Sequence, residues 1–297
     1  MTERPSAEPP VVSAALDHAR RRVDPAIEWF LADRRAELTG MGPGSAVLVD
    51  ELRRLIGAGG KRIRPALCLW AYRACGGSDE TPVAKAAAAL ELLHTFALVH
   101  DDVMDRTDER RGAPASHVRF AKEAPPGADP DAYGTAVAIL VGDLAAVLSE
   151  QLLRTCGAAP GPLAVALGRF DRMRVEMAAG QFLDLSTAAA GPAPASVAAL
   201  KTGSYTAEGP VLIGAAFAEA GPSAEGPLRV YGRLVGEAFQ LRDDVIDGDA
   251  APNAAARVGV LVDRGIAALE GAPLEAEGVS ALVEIAELVR LRREGGT

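Results

Sequence analysis

Apolar residues recur with a helical period along most of the chain, and the strict alternation of a half-buried strand is nowhere sustained. A first helix is predicted over 12–37, after Pro9-Pro10, with Ala15, Ile27, Phe30 and Leu31 as its apolar positions. A second, over 62–74, starts near Pro65 and stops at Gly76-Gly77. A third, over 82–104, opens at Thr81-Pro82, a capping residue followed by proline in the first turn. Its stretch VAKAAAALELLHTFALVHDDVM is apolar nearly all round and should be a buried central helix. Residues 121–134, AKEAPPGADPDAYG, read as a surface loop, and further helices are expected over 135–156, 162–187, 195–203, 209–220, 224–247 and 278–293. Connections are short, no linker halves the chain and no repeat of 20–50 residues is present. One all-α domain over 11–297 follows, with a disordered lead at 1–10, where MTERPSAEPP is charged, rich in proline and without the apolar core of a secretory signal.

Composition narrows the partners. The 297 residues are 49% hydrophobic with mean hydropathy +0.11, enough for a large core, and no uncharged run of about 18 apolar residues marks a membrane-spanning segment. A net charge of −9 disfavours nucleic acid, which needs a basic face. The three cysteines, Cys68, Cys75 and Cys156, show no metal-ligand spacing and fit a reducing cytoplasm. Only four of the 31 basic residues are lysines, Lys61, Lys85, Lys122 and Lys201, so a retained lysine suggests a place for a compact charge; Lys85 and Lys122 are read as chance.

The chemistry sits in two acidic clusters. The central helix ends in Asp101-Asp102-Val103-Met104-Asp105, where Asp101 and Asp105 share a face at i and i+4 and Asp102 stands about 100° round. Carboxylates so close repel, aspartate opposes the helix dipole at a C-terminus, and a divalent cation relieves both costs. Hard oxygen donors suit Mg²⁺. The spacing repeats after another apolar helical run, at Asp243, Asp244 and Asp247. A solvated helix end explains one such cluster; two point to helices facing each other across metal.

Basic residues complete the pattern. Gly59-Gly60 let the backbone turn, and Lys61, Arg62 and Arg64 then offer three cations ahead of a helix; Arg110-Arg111-Gly112 follow the first acidic cluster. Either group alone would pass for ordinary surface. Together they suit a metal-bridged diphosphate. His94, two turns before Asp101, is either a donor to phosphate or a satisfied core histidine, and His100 and His117 are read as structural.

Taken in order, GGKRIRP, HTFALVHDDVMD, RRG, GQFLD at 180–184, Lys201-Thr202 and FQLRDDVID resemble the trans-isoprenyl diphosphate synthases (polyprenyl synthases) of short-chain type, over about residues 25–250. The resemblance implies an all-α helical bundle of the isoprenoid synthase type around a deep central cavity, usually a homodimer. It also implies Mg²⁺-dependent condensation of isopentenyl diphosphate with an allylic diphosphate. By motif position, Asp101, Asp102, Asp105, Asp243, Asp244 and Asp247 would serve three Mg²⁺ ions. Arg110 and Lys201 would contact the allylic diphosphate, and Lys61, Arg64, His94 and Arg111 the isopentenyl diphosphate; Thr202 and Gln240 would lie near the reacting carbons. Phe96, five residues before Asp101 and next to Ala97, resembles the floor of enzymes making short products, so a C20 product is expected, with C15 as its rival.

One departure stands out: beyond Lys201 there is no lysine, where related enzymes carry a lysine-containing loop, and Arg257 is the substitute at hand. This leaves open a partner-dependent or regulatory synthase-like subunit. A class I terpene cyclase would usually carry an Asn/Asp-Ser/Thr-Glu second motif in place of the Asp pair. A ferritin-like di-iron bundle would need two Glu-x-x-His pairs, and Glu91-x-x-His94 supplies one.

Overall fold

The computed structural model describes residues 13–42, 44–187, 199–248 and 253–291, with backbone alone at 187, 199–203 and 247; the expected lead at 1–10 lies outside these. In chain order come α1 (Ala14–Met41), α2 (Val47–Gly57), α3 (Ile63–Ala74), α4 (Glu80–Met104), β1 (Glu109–Arg110), β2 (Ala113–Pro114), α5 (Ser116–Ala121) and α6 (Pro130–Arg154). Then follow α7 (Pro160–Thr187), a wide π-type helix α8 (Ala199–Glu208), α9 (Gly209–Phe217), α10 (Pro222–Asp247), α11 (Ala254–Ala267) and α12 (Ala276–Glu287). The all-α expectation holds, apart from a two-residue antiparallel ladder that the sequence pattern did not reveal.

Helix α4 is the centre, packed by α1, α3 and α6. Its alanines at 84 and 86–89 are buried, which lets neighbouring backbones come close. The cap differs from expectation: α4 starts at Glu80, and Asp79 Oδ1 accepts from the Thr81 N–H at 3.0 Å. At Gly214 a Cβ would strike the Cys68 carbonyl, so glycine is required where α9 crosses α3.

The expected loop at 121–134 is shorter than its composition suggests. Asp129 Oδ1 caps α6 by accepting from the N–H groups of Asp131 and Ala132, and α5 precedes it. Helices α2, α5 and α11 were not anticipated. Buried Glu51 on α2 explains the first two: it accepts from Arg54 on its own helix, from Ser116 Oγ at 2.6 Å and from Arg119, pinning α5 to α2. Those bonds, Arg54's first among them, overcome the penalty of burial and keep its pKa below the usual carboxylate value. Helix α11 buries Val258, Leu261, Val262 and Gly265, a helical stripe.

Helices α4 and α6 are both long and apolar enough to cross a membrane by length and composition alone, although Lys85 and Glu91 in α4 and Asp143 in α6 interrupt any uncharged run. Burial accounts for α4. Helix α6 keeps Leu140 and Val147 more than half exposed.

Candidate active site

The loop before α3 turns at Gly59 (φ 98°) and again at Arg62 (φ 55°), a left-handed conformation that is costly for a residue with a Cβ. The Arg62 guanidinium holds it there. Its Nε donates to Asp24 Oδ1 at 2.7 Å, Nη1 to Glu91 Oε1 at 2.9 Å and Nη2 to the Ile56 carbonyl at 3.1 Å. Arg62 is therefore a brace, and not the third phosphate cation that its spacing suggested. Glu91, taken up by Arg62, is likewise no di-iron ligand.

Lys61 and Arg64 flank this brace and line a cavity of about 1020 Å³, together with His94, Arg111, Arg242 and Asp243. It thus lies between the loop before α3, the middle of α4 and the end of α10. Arg64 is buried: its Nη2 donates to Thr206 Oγ1 at 2.9 Å and its guanidinium carbon sits 4.3 Å from the Tyr205 ring centre, both on α8. A smaller hollow adjoins it, sharing Ala58, Glu91, His94 and Arg111 and adding Asp102 and Arg110.

The two-stranded ladder is what aims the second pair of arginines. It turns through Arg111 (φ 55°) and Gly112 (φ 74°), the left-handed pair of a tight hairpin. Arg110 then reaches back to the end of α4, with Nε and Nη2 each 2.6 Å from Asp102 Oδ1 and Nη2 3.8 Å from Asp101 Oδ2. Burial works against its charge, but Asp102, Asp101 and Asp105 together raise its pKa, so all three carboxylates act on one guanidinium. Arg111 lines both hollows and donates to the Gly59 carbonyl. Burial chiefly, and then Arg62, Arg110 and Arg64, lower its pKa despite Glu91. Such crowding of cations favours an anionic ligand.

His94 feels the same crowd. Burial, then Arg64, Arg111, Arg110 and Arg62, push its pKa well below 6.5, so it is neutral at pH 7. The Tyr205 hydroxyl lies 3.3 Å from Nδ1; with the hydroxyl donating, the proton sits on Nε2. A histidine held neutral when folded loses proton uptake that the unfolded chain retains, so its contribution to stability is intact above 6.5 and falls as pH drops below that value. Thermal melts between pH 7.5 and 5.5 should show this decline in the wild type and a flatter profile for His94→Gln.

On α10, Gln240 Nε2 donates to Asp244 Oδ1 at 2.7 Å, one turn apart, leaving the carbonyl as the end not used by that carboxylate. Gln181 on α7 donates to Asp101 Oδ1 at 3.3 Å. The sequence reading assigns no role to Gln181, Tyr205, Thr206 or Arg242: Gln181 and Arg242 lie within GQFLD and FQLRDDVID, whose acidic residues drew the reading, and Tyr205 and Thr206 belong to no charge cluster. Phe96 lines neither hollow. It stands half-buried with its ring edge-on to His100, centroids 4.8 Å apart, and His100 Nε2 is 3.2 Å from the Ile139 carbonyl of α6. The side chains of Lys201, Thr202 and Asp247 lie outside the described residues.

The donor set fits Mg²⁺ in kind, since it consists of carboxylate oxygens and Asp101 and Asp105 share a helix face. Among the described residues, no three acidic, histidine or cysteine side chains already stand together as a cage. Asp102 and Asp244 are turned to Arg110 and Gln240 instead.

Residues 45–259 match the family model described as polyprenyl synthetase. The chain belongs to that family. It is 34% identical over 229 residues to a geranylgeranyl diphosphate synthase of Methanosarcina mazei, covering 76% of this chain and 63% of that one. It is 34% identical over 204 residues to a short chain isoprenyl diphosphate synthase of Methanocaldococcus jannaschii, covering 67% and 57%. The matched part thus spans less than two thirds of either relative's length. Among solved structures, a geranylgeranyl pyrophosphate synthase of Corynebacterium glutamicum, complexed with isoprenyl diphosphate and magnesium, superposes with a TM-score of 0.85 at 25% identity, covering 96% of this chain and all of that one. The polyprenyl synthetase fold therefore extends beyond the family match, into α1 and α12.

Proposed function

We propose that the protein is a Mg²⁺-dependent trans-prenyltransferase that joins isopentenyl diphosphate to an allylic diphosphate, acting in the cytoplasm. The observation that carries this reading is a single cavity in which Lys61, Arg64, His94 and Arg111 meet Asp243 of the second acidic cluster. Asp101, Asp102, Asp105, Asp243 and Asp244 would hold three Mg²⁺ ions. When bound, the metal supplies Lewis-acid stabilisation of the departing pyrophosphate.

The chain's own residues do the rest. Lys61, Arg64, Arg111 and neutral His94 bind and orient the isopentenyl diphosphate by charge-assisted hydrogen bonds. Arg110, positioned by Asp102, and Lys201 receive the allylic diphosphate as its C–O bond ionises. The isopentenyl double bond attacks the allylic cation, the new C–C bond forms, and a proton leaves to the pyrophosphate. Thr202 and Gln240 offer dipoles to that cation without a charged nucleophile to trap it.

Incubation with Mg²⁺, isopentenyl diphosphate and each allylic primer tests the proposal. A linear product that needs both substrates supports it. Cyclised hydrocarbon from one substrate would mean a cyclase, and no turnover a regulatory subunit. The expected product is C20, with C15 the near rival. Phe96→Ala should lengthen it by one or more C5 units, read by chromatography of the dephosphorylated alcohols; unchanged length would remove Phe96 as the floor.

We also infer a homodimer that covers Ile139, Leu140 and Val147 on α6, all substantially exposed in one chain. Light scattering should give twice the chain mass for the wild type. A Leu140→Asp/Val147→Asp variant should give the single mass, because an unpaired charge buried at each position opposes association.

A further inference from the structure

The arginines around the main cavity differ in how their donors are used. Arg20 donates to Asp17 and to the Gly60 carbonyl, each of the three nitrogens of Arg62 donates, and Arg290 binds Asp263, Glu287 and the Gly259 carbonyl. Arg242 and Arg64 differ from these. Arg242 lines the cavity from α10, its side chain is 15% exposed, and its buried Nε has no hydrogen-bond partner among the described residues. Its ion pair among the described residues is with Asp243, with Nη1 and Oδ1 3.8 Å apart, beyond hydrogen-bond length. Arg64, in the wall formed by α3, shares the signature of a buried, unpartnered Nε. Arg34 and Arg169 carry the same feature away from the cavity, so it marks a ligand site only where, as at Arg64 and Arg242, the guanidinium lines a cavity shared with Lys61 and Arg111, in which an anion would supply the acceptors.

The expected substitute for the absent lysine does not reach this place. Arg257 Nη2 is taken by Glu237 at 2.6 Å in a half-exposed pair, and Arg257 does not line the cavity.

Resting on the prenyltransferase reading, we propose that Arg242 binds the isopentenyl diphosphate directly, donating to its phosphate oxygens from the α10 side while Lys61, Arg64 and Arg111 hold it from the other elements. A guanidinium next to Asp243 also sets the two diphosphates at a fixed separation: it attracts the metal-free one and repels the metal-bearing one.

The test is steady-state kinetics of Arg242→Gln with each substrate varied in turn, joined to calorimetry of inorganic pyrophosphate binding in EDTA. The KM for isopentenyl diphosphate should rise about 10- to 100-fold, that for the allylic diphosphate less than about threefold, and Arg242→Lys should fall between. Pyrophosphate affinity should drop about tenfold or more, with the melting temperature shifted by less than about 2 °C, because the ion pair lost with Asp243 is long and that carboxylate is 44% exposed. Equal rises in both KM values, or wild-type KM for isopentenyl diphosphate, would overturn the assignment. Should the wild type not turn over, the prenyltransferase reading fails while the pyrophosphate comparison still decides Arg242. There, equal affinities, or no binding by the wild type, reject it.

Discussion

Asp243→Asn is expected to lower turnover about a hundred- to a thousandfold while shifting the melting temperature by less than about 2 °C. The two halves of this expectation have separate causes. Asp243 borders the main cavity with its side chain 44% exposed, so solvent screens its charge and little native stability depends on it. An amide keeps the shape and removes the negative oxygen that a hard cation needs. The Mg²⁺ concentration giving half activity should therefore rise as well. Asp101→Asn should behave alike, and the double variant should lose much less than the product of the two, since both carboxylates serve one transition state. Asp102→Asn is different: Asp102 is 2% exposed and anchors Arg110, so it should cost stability along with rate. A tenfold loss or less for Asp243→Asn would remove this carboxylate from the reaction.

The helices that could be read from the chain were those whose own residues determine them. Helix α4 is apolar nearly all round and ends at Met104 in its acidic cluster, as expected, and α7 ends at Thr187, the expected residue. Helices α2 and α5 owe much of their placement to Glu51, whose partners lie up to 68 residues away, and no local pattern shows such a bond. The site divides in the same way. Lys61, Arg64, His94, Arg111 and Asp243 were legible because charge and spacing mark them, and the cavity gathers all five. Arg62 was misjudged because, in sequence, a cation between two ligands looks like a third. Its role depends on Asp24 and Glu91, contributed by α1 and α4. Tyr205 and Thr206 are ordinary residues until α8 lays them against His94 and Arg64.

Arg62→Ala is expected to cost about 3–5 kcal/mol of stability, a large part of the roughly 5–15 kcal/mol available to a folded domain. The loss arises mainly at Glu91. Both side chains are 6% exposed, and removing the guanidinium strands a carboxylate away from water, whereas the Asp24 contact, with Asp24 45% exposed, adds little. The Ile56 carbonyl loses its donor too. Arg62→Gly separates these losses from backbone strain: glycine tolerates φ 55°, so it should unfold about 1 kcal/mol later than Arg62→Ala in urea. An Arg62→Met/Glu91→Leu pair, with no charge left to strand, should recover much of the stability. It should not recover activity, because the turn that presents Lys61 and Arg64 would no longer be held to α1 and α4. Equal stability of the wild type and Arg62→Ala would mean that the loop holds its shape without this guanidinium.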